Sequence, residues 1–210
     1  MIAPTANVDA ARAVGRCWGA LFFSVFGGAW FLLAAYAFGR LNPLDAGLIA
    51  IGVILFVLLA LRLQRRGQDA GKDAFPEEER RRNGRVFGIV NAITWIAVFL
   101  AFQIFPRVGH PDLAIPAVVL LVGLHFFPLP PLYRHRANLV TGGCLVLWAI
   151  LCPLLFRGGT MIGFAAAGAG LVLWASAAWA LRTANCLGRL GSERPRWLLA
   201  ASQPALILPR

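Results

Sequence analysis

The residues of this chain that could bind a small molecule are uncharged polar side chains within long apolar stretches. They are two serines, an asparagine, two threonines and a histidine: Ser24, Asn91, Thr94, His125, Thr141 and Ser176. Hydroxyl, amide and neutral imidazole groups donate and accept hydrogen bonds without carrying a fixed charge. This set therefore predicts recognition of a neutral or amphiphilic molecule.

His125 is the most distinctive of these residues, because its neighbours on the same predicted helix face are all apolar. Those neighbours are Val118, Leu121 and Val122. A hydrogen-bond partner must therefore come from another helix, since polar groups in hydrocarbon need partners, and we predict Asn91. Three interpretations stay open: a hydrogen bond that joins two helices, a contact with a ligand, or a haem or metal ligand. The last lacks a second strong ligand at the same depth.

The apolar stretches lack the groups that most intramembrane enzymes use. Apart from Asp45 and Arg62, at the two ends of one stretch, no residue inside them carries a full charge. Paired carboxylates for acid–base catalysis and clustered metal ligands are therefore missing there. The four cysteines share no CxxC spacing. We therefore interpret them as buried thiols that act as small apolar groups. We expect no catalytic residue, no metal and no cofactor.

The elements that carry these residues are predicted to be membrane helices. Of the 210 residues, 59% are hydrophobic and 14% are charged, against about 25% charged in soluble domains. Six apolar runs approach the length of about 20 residues that crosses a bilayer. They cover about residues 18–38, 44–63, 86–105, 113–129, 139–156 and 161–181. The predicted fold is a single all-α integral membrane domain, a bundle of six transmembrane helices arranged as three antiparallel hairpins.

The basic residues orient this bundle. With the N-terminus in the cytoplasm, seventeen of the twenty Lys and Arg residues lie inside, many of them in loop 64–85 and tail 182–210. Only Arg40, Arg107 and Arg157 lie outside. This asymmetry favours cytoplasmic N- and C-termini. Because the net charge of +11 comes from residues that flank the helices, we expect no nucleic-acid partner. We expect a multi-pass protein of a bacterial inner membrane.

The end of the long cytoplasmic loop is acidic and then basic. Glutamates at 77–79 suit the first turn of a helix, because carboxylates stabilise the positive end of its dipole. We predict a short helix here, with a kink or break near Gly84 before the third span. Arg80, Arg81 and Arg82 are candidates for contact with anionic lipid or a partner. The alternative is a solvated helix with no partner.

Small residues form stripes on two of the predicted helices. The sixth span contains glycine and alanine throughout residues 163–170, and the first contains Ala20, Ser24 and Gly28. Such stripes let two helices approach closely. They indicate either packing inside one chain or the face of a homodimer.

Two functions of different classes follow from these patterns. The first is a small permease or binding protein, in which His125 and Asn91 orient a ligand and the other four polar residues line a cavity. Counted from the predicted cytoplasmic ends, all six residues lie in the inner half of the bilayer. The second is a non-catalytic membrane subunit or regulator that acts through helix contacts and the basic loop.

Overall fold

The computed structural model describes residues 4–67, 77–128 and 137–192. These residues form helices, and no strand occurs among them. The helices are α1 (Pro4–Ala37), α2 (Pro43–Gly67), α3 (Glu77–Arg107), α4 (Ala114–His125), α5 (Ala137–Leu155) and α6 (Gly158–Ser192). A single 3₁₀ turn, Pro111–Leu113, precedes α4. The all-α prediction is confirmed for the described residues.

Five of the six helices are long and apolar enough to cross a bilayer, which supports an integral, multi-pass membrane protein. Their spanning parts are Gly15–Ala37, Pro43–Arg65, Arg81–Arg107, Ala137–Leu155 and Gly158–Asn185. The remaining apolar helix, Pro111–His125, is shorter. At 1.5 Å per residue it reaches about 22 Å, less than the ~30 Å of the hydrocarbon core.

Several helices are longer than the apolar runs predicted. α1 begins at Pro4, and α6 continues to Ser192, into the predicted tail; residues 193–210 lie outside the described part. α3 runs without interruption from Glu77 to Arg107, so of the predicted kink or break near Gly84 the break is wrong, and the kink stays a prediction. A single glycine costs a helix only about 1 kcal/mol relative to alanine, and the flanking Glu and Arg residues are good helix formers.

The start of α2 shows how a polar residue fixes a helix end. Asn42 precedes Pro43, the first helical residue, and its Oδ1 accepts a hydrogen bond of 2.8 Å from the Asp45 backbone N–H. The Asn42 amide in turn donates to the Asp45 carboxylate at 3.1 Å. This reciprocal cap, with proline at the first position, is a strong helix start.

The centre of the molecule is the crossing of α1 and α6, the most extensive helix contact in the fold. Gly27 and Gly170 meet there: a Cβ atom on Gly170 would lie 3.1 Å from the Gly27 carbonyl oxygen. Ala20, Ala169 and Ala177 are fully or almost fully buried around this crossing. The small-residue stripes are therefore used for packing within one chain.

A tryptophan of α6 ties α1 and α2 to this centre. A Cβ atom on either Gly27 or Gly52 would overlap a ring atom of Trp174. The indole Nε1 of Trp174 donates a hydrogen bond of 3.0 Å to the Ser24 carbonyl oxygen. Only glycine leaves room for the ring at these two positions.

The remaining helices are arranged around α1 and α6. α4 packs closely on α5, where a Cβ atom on Gly142 would lie 2.8 Å from the Gly123 carbonyl oxygen. α2 packs on α1 and α6, whereas α3 packs mainly on α4. α2 and α3 therefore flank the bundle and expose large apolar side chains such as Leu58 and Ile96.

Candidate functional site

The predicted polar residues of α1, α4 and α5 lie at one level of the bundle. Phe126 follows His125, and its ring centroid is 5.5 Å from that of Phe23 in α1. A Cβ atom on Gly142 in α5 would lie 3.0 Å from the Phe126 Cβ. Phe23 precedes Ser24 in the sequence, and Gly142 follows Thr141. These contacts therefore place Ser24, His125 and Thr141 in one layer.

His125 forms a hydrogen bond to another helix, as the sequence predicts, but its partner is Thr94. The Thr94 Oγ1 and the His125 Nδ1 lie 3.0 Å apart, and the same hydroxyl lies 2.9 Å from the Val90 carbonyl oxygen. A hydroxyl has one proton. Thr94 therefore either donates to Val90 and accepts from Nδ1–H, or donates to an unprotonated Nδ1.

The predicted partner, Asn91, lies on the same face of α3 as Thr94. Phe87, Asn91 and Thr94 follow at helical spacing, and the Phe87 ring centroid is 6.3 Å from that of His125. All three therefore point towards the end of α4. Helical spacing correctly identifies the face of α3 that His125 contacts. The position along α3 at which α4 crosses decides the partner, which is Thr94, about one turn after Asn91.

The His125–Thr94 pair is open on one side. Both side chains are half-buried. Within the part of the chain that the structure describes, the second ring nitrogen of His125, Nε2, forms no hydrogen bond. A neutral imidazole can present this nitrogen as a donor or as an acceptor, according to its tautomer. The pair can therefore hold one further polar group.

Thr141 and Ser176 form a second pair that is closed. Their hydroxyl oxygens lie 2.8 Å apart and join α5 to α6. Each hydroxyl is also close to a carbonyl of its own helix, Ala137 at 3.2 Å and Val172 at 2.8 Å. Two hydroxyl protons serve three contacts, so both groups are satisfied internally. Thr141 is only 5% exposed.

Ser24 is fully buried and bonded within its own helix. Its Oγ donates to the Leu21 carbonyl oxygen at 2.8 Å, while its carbonyl oxygen accepts the bond from Trp174. The six predicted residues therefore divide into an open pair, a closed pair, one buried serine and Asn91, which adjoins the open pair.

The open pair lies where α4 ends inside the apolar layer. The N–H groups of Phe126 and Phe127 bond the carbonyls of Gly123 and Leu124 at 3.2 and 3.1 Å, which is a 3₁₀-type ending. Along α3, Thr94 lies about 14 Å from the level of Arg85 at 1.5 Å per residue. Non-helical backbone at such depth is tolerated where it is buried in protein or lines a water-filled cavity.

Three further residues of this layer were not predicted. Phe87 and Phe126 surround the imidazole, and Trp174 fixes the position of Ser24. Aromatic residues are common in apolar runs, so their types alone gave no signal. Among the described residues, no group of three His, Cys, Asp or Glu side chains could hold a metal ion.

The candidate basic contacts lie away from this site. Arg81 and Arg82 are exposed on α3, whereas the side chain of Arg80 lies outside the described residues. No protein-family model, curated protein or solved structure matches the chain.

Proposed function

We propose that this chain is a small permease or binding protein for a neutral or amphiphilic molecule, which binds beside the open pair of Thr94 and His125. The observation that carries this proposal is the end of α4 at His125, part-way through the apolar layer. Discontinuous helices form substrate sites in many transporters, because their ends present polar backbone groups at membrane depth. α4 supplies such an end next to a half-buried imidazole.

The chemistry of the surroundings defines the class of ligand. Nε2 of His125 offers one hydrogen bond, while the rings of Phe87 and Phe126 provide apolar surface beside it. No Asp, Glu, Lys or Arg occurs in α3 between Val86 and Pro106, or in α4. A ligand with one small polar group and an apolar body fits these neighbours better than an ion does, because no fixed charge would compensate the ion.

We further propose six membrane segments in three antiparallel hairpins, with both termini in the cytoplasm of a bacterium and α4 as the short sixth segment. Contacts of α1 with α2, α3 with α4 and α5 with α6 support this arrangement. So does the distribution of arginines, since Arg40, Arg107 and Arg157 all follow or precede helix ends on one side. The proposed cavity would then open towards the cytoplasm.

Native mass spectrometry of the protein, extracted gently from its own membrane, tests the ligand proposal. We expect a small molecule at fixed stoichiometry on the wild type, and its loss in His125→Leu. His110→Leu is the matched control, because His110 is exposed on the loop before α4. Retention of the molecule by a folded His125→Leu variant would exclude the site.

A second candidate function is a non-catalytic membrane subunit. The outward faces of α2 and α3 favour it, since Leu58 and Ile96 are 58% and 60% exposed and are available to another membrane protein as well as to lipid. In the same experiment, this candidate predicts a second polypeptide in place of a small molecule. A photo-crosslinker at Leu58 or Ile96 should then join the two chains.

A further inference from the structure

The outward face of α3 changes from charged to apolar within a few turns. Its first part exposes Arg81, Arg82 and Arg85. At helical spacing these continue into three strongly exposed isoleucines: Ile89, Ile93 and Ile96. Residues three and four positions apart share a face of a helix, so arginines and isoleucines form one stripe.

This stripe points away from the bundle. Phe87 and Thr94, which contact His125, lie about 140–160° around the helix from Ile89 when each residue advances by about 100°. Arg82 and Arg85 lie within about 40° of Ile89 on the same basis. Arg81 lies about 80° from Ile89, at the edge of this face. Arg82 and Arg85 therefore share the face that is directed to the surroundings of the bundle, and not the face that packs on α4.

The length of α3 gives the level of the arginines relative to a bilayer. Arg85 and Arg107 are separated by about 33 Å along the helix, close to the ~30 Å of the hydrocarbon core. With the isoleucines in hydrocarbon, Arg85 lies at the level of the lipid headgroups, and Arg81 and Arg82 lie within one turn of it.

Two other helices end in the same way at the same end of the bundle. Exposed apolar residues of α2, among them Leu58, lead to the exposed Arg62 and Arg65. On α6, the exposed Leu171 leads to the exposed Arg182. Exposed arginines therefore occur at this end of three helices, and among the residues whose side chains the structure describes α3 carries three of them, against two on α2 and one on α6.

We propose that Arg81, Arg82 and Arg85 bind the phosphate groups of acidic phospholipids, whose acyl chains lie along the isoleucines of α3. A guanidinium group forms paired hydrogen bonds with phosphate oxygens. The apolar stripe directly below the arginines favours a lipid over free phosphate, which would make no use of it. This site is on the opposite face of α3 from the open pair, so it stands independently of the proposed function.

Two carboxylates limit where the headgroup binds. Glu77 and Glu78 begin α3 and are exposed. Glu78 lies about 6 Å further from the isoleucines than Arg82 does, at 1.5 Å per residue. A phosphate group near Glu78 would be repelled, so the headgroup binds at the level of Arg82 and Arg85, and the glutamates remain in water.

Titration of the detergent-purified protein with phosphatidylglycerol, followed by native mass spectrometry, tests this proposal. Phosphatidylcholine with the same acyl chains is the lipid control. Arg81→Gln/Arg82→Gln/Arg85→Gln should weaken phosphatidylglycerol binding by about fivefold for each arginine removed. Arg40→Gln/Arg107→Gln/Arg157→Gln removes the same charge at the other end of the bundle and should leave this binding unchanged.

Four results would overturn the proposal. The first is equal phosphatidylglycerol binding by the wild type and the α3 variant, and the second is an equal loss in both triple variants, which would reflect net charge alone. The third is displacement of the lipid by excess inorganic phosphate, which would indicate a free-anion site. The fourth is release of a bound polypeptide from the α3 variant while its lipid binding is unchanged.

Discussion

The two hydrogen-bonded pairs of the bundle are built from similar groups but differ in their surroundings. Thr141 and Ser176 join α5 to α6, and the hydroxyl of each also reaches a carbonyl of its own helix. Thr94 and His125 join α3 to α4, and one ring nitrogen has no partner among the described residues. The first pair uses all its protons, whereas the second can still bind. A polar residue in a membrane helix is thus a candidate for ligand binding only when the fold leaves it a spare group.

The glycine contact beside the closed pair offers the strongest test of this difference. Gly142→Ala would bring a Cβ atom to 2.8 Å from the Gly123 carbonyl oxygen, a backbone atom that cannot easily move. We expect a loss of about 1–3 kcal/mol in the free energy of unfolding, as for other overpacked cores. Thermal unfolding in detergent measures the change.

The control for this variant is the next residue. A Cβ atom on Gly143 would meet nothing within 4 Å, so Gly143→Ala should stabilise the helix by about 0.5–1 kcal/mol. Equal behaviour of the two alanine variants would contradict the close contact between α4 and α5.

Thr94→Val should affect binding more than folding. Valine keeps the shape of threonine but removes the hydroxyl that holds the imidazole. We expect ligand affinity to fall by about fivefold, the value of one net hydrogen bond of about 1 kcal/mol, so occupancy falls when the ligand is below saturation. Native mass spectrometry measures occupancy, and thermal unfolding shows whether the fold is kept. A variant that loses stability but not ligand would show that the open pair only joins two helices.

A double-mutant cycle on the closed pair should give a smaller effect. Thr141→Val and Ser176→Ala remove the two hydroxyls singly and together. We expect a coupling free energy of about 0.6 kcal/mol, the average for hydrogen bonds between membrane helices. The same substitutions should leave ligand occupancy unchanged. A parallel loss of ligand in both single variants would place the closed pair in the binding site.

Ser24→Ala should have the smallest effect of all. The Ser24 hydroxyl donates only to its own helix, and Trp174 bonds the carbonyl oxygen, which alanine retains. We expect a change of less than about 0.5 kcal/mol, since such bonds within a helix compete with the helix ladder and add little. A large loss of stability would indicate that the hydroxyl has a partner across the bundle.

The level of the polar layer could be predicted from the sequence, because the rise of a helix converts positions into depths. The pairings within the layer could not. The partner of His125 depends on where α4 crosses α3, and close contacts such as that between Gly123 and Gly142 set the neighbouring crossings. Residue types do not reveal how far one helix is shifted along another. Helical spacing alone therefore could not distinguish Asn91 from Thr94 as the partner of His125.

The helix ends show the same division. The prolines at 128, 130 and 131 predict a helix end near Phe127, short of the apolar run at 113–129, because proline removes a backbone donor. In the structure α4 ends at His125. Gly84 predicted a break that is absent, because the residues around it favour a helix more strongly than one glycine opposes it. A proline removes a backbone hydrogen-bond donor and so ends a helix, whereas a glycine only allows the backbone to leave the helical conformation.

The crossing of α1 with α6 has a consequence for how the protein is made. α1 leaves the ribosome before α2, α3, α4 and α5 but finds its main partner in α6, so α1 must wait in the membrane until α6 has been made. Membrane helices insert individually and associate afterwards, and contacts between distant parts of a chain form slowly. A chain that stops before α6 should therefore insert but stay loosely packed, which makes it a substrate for membrane proteases.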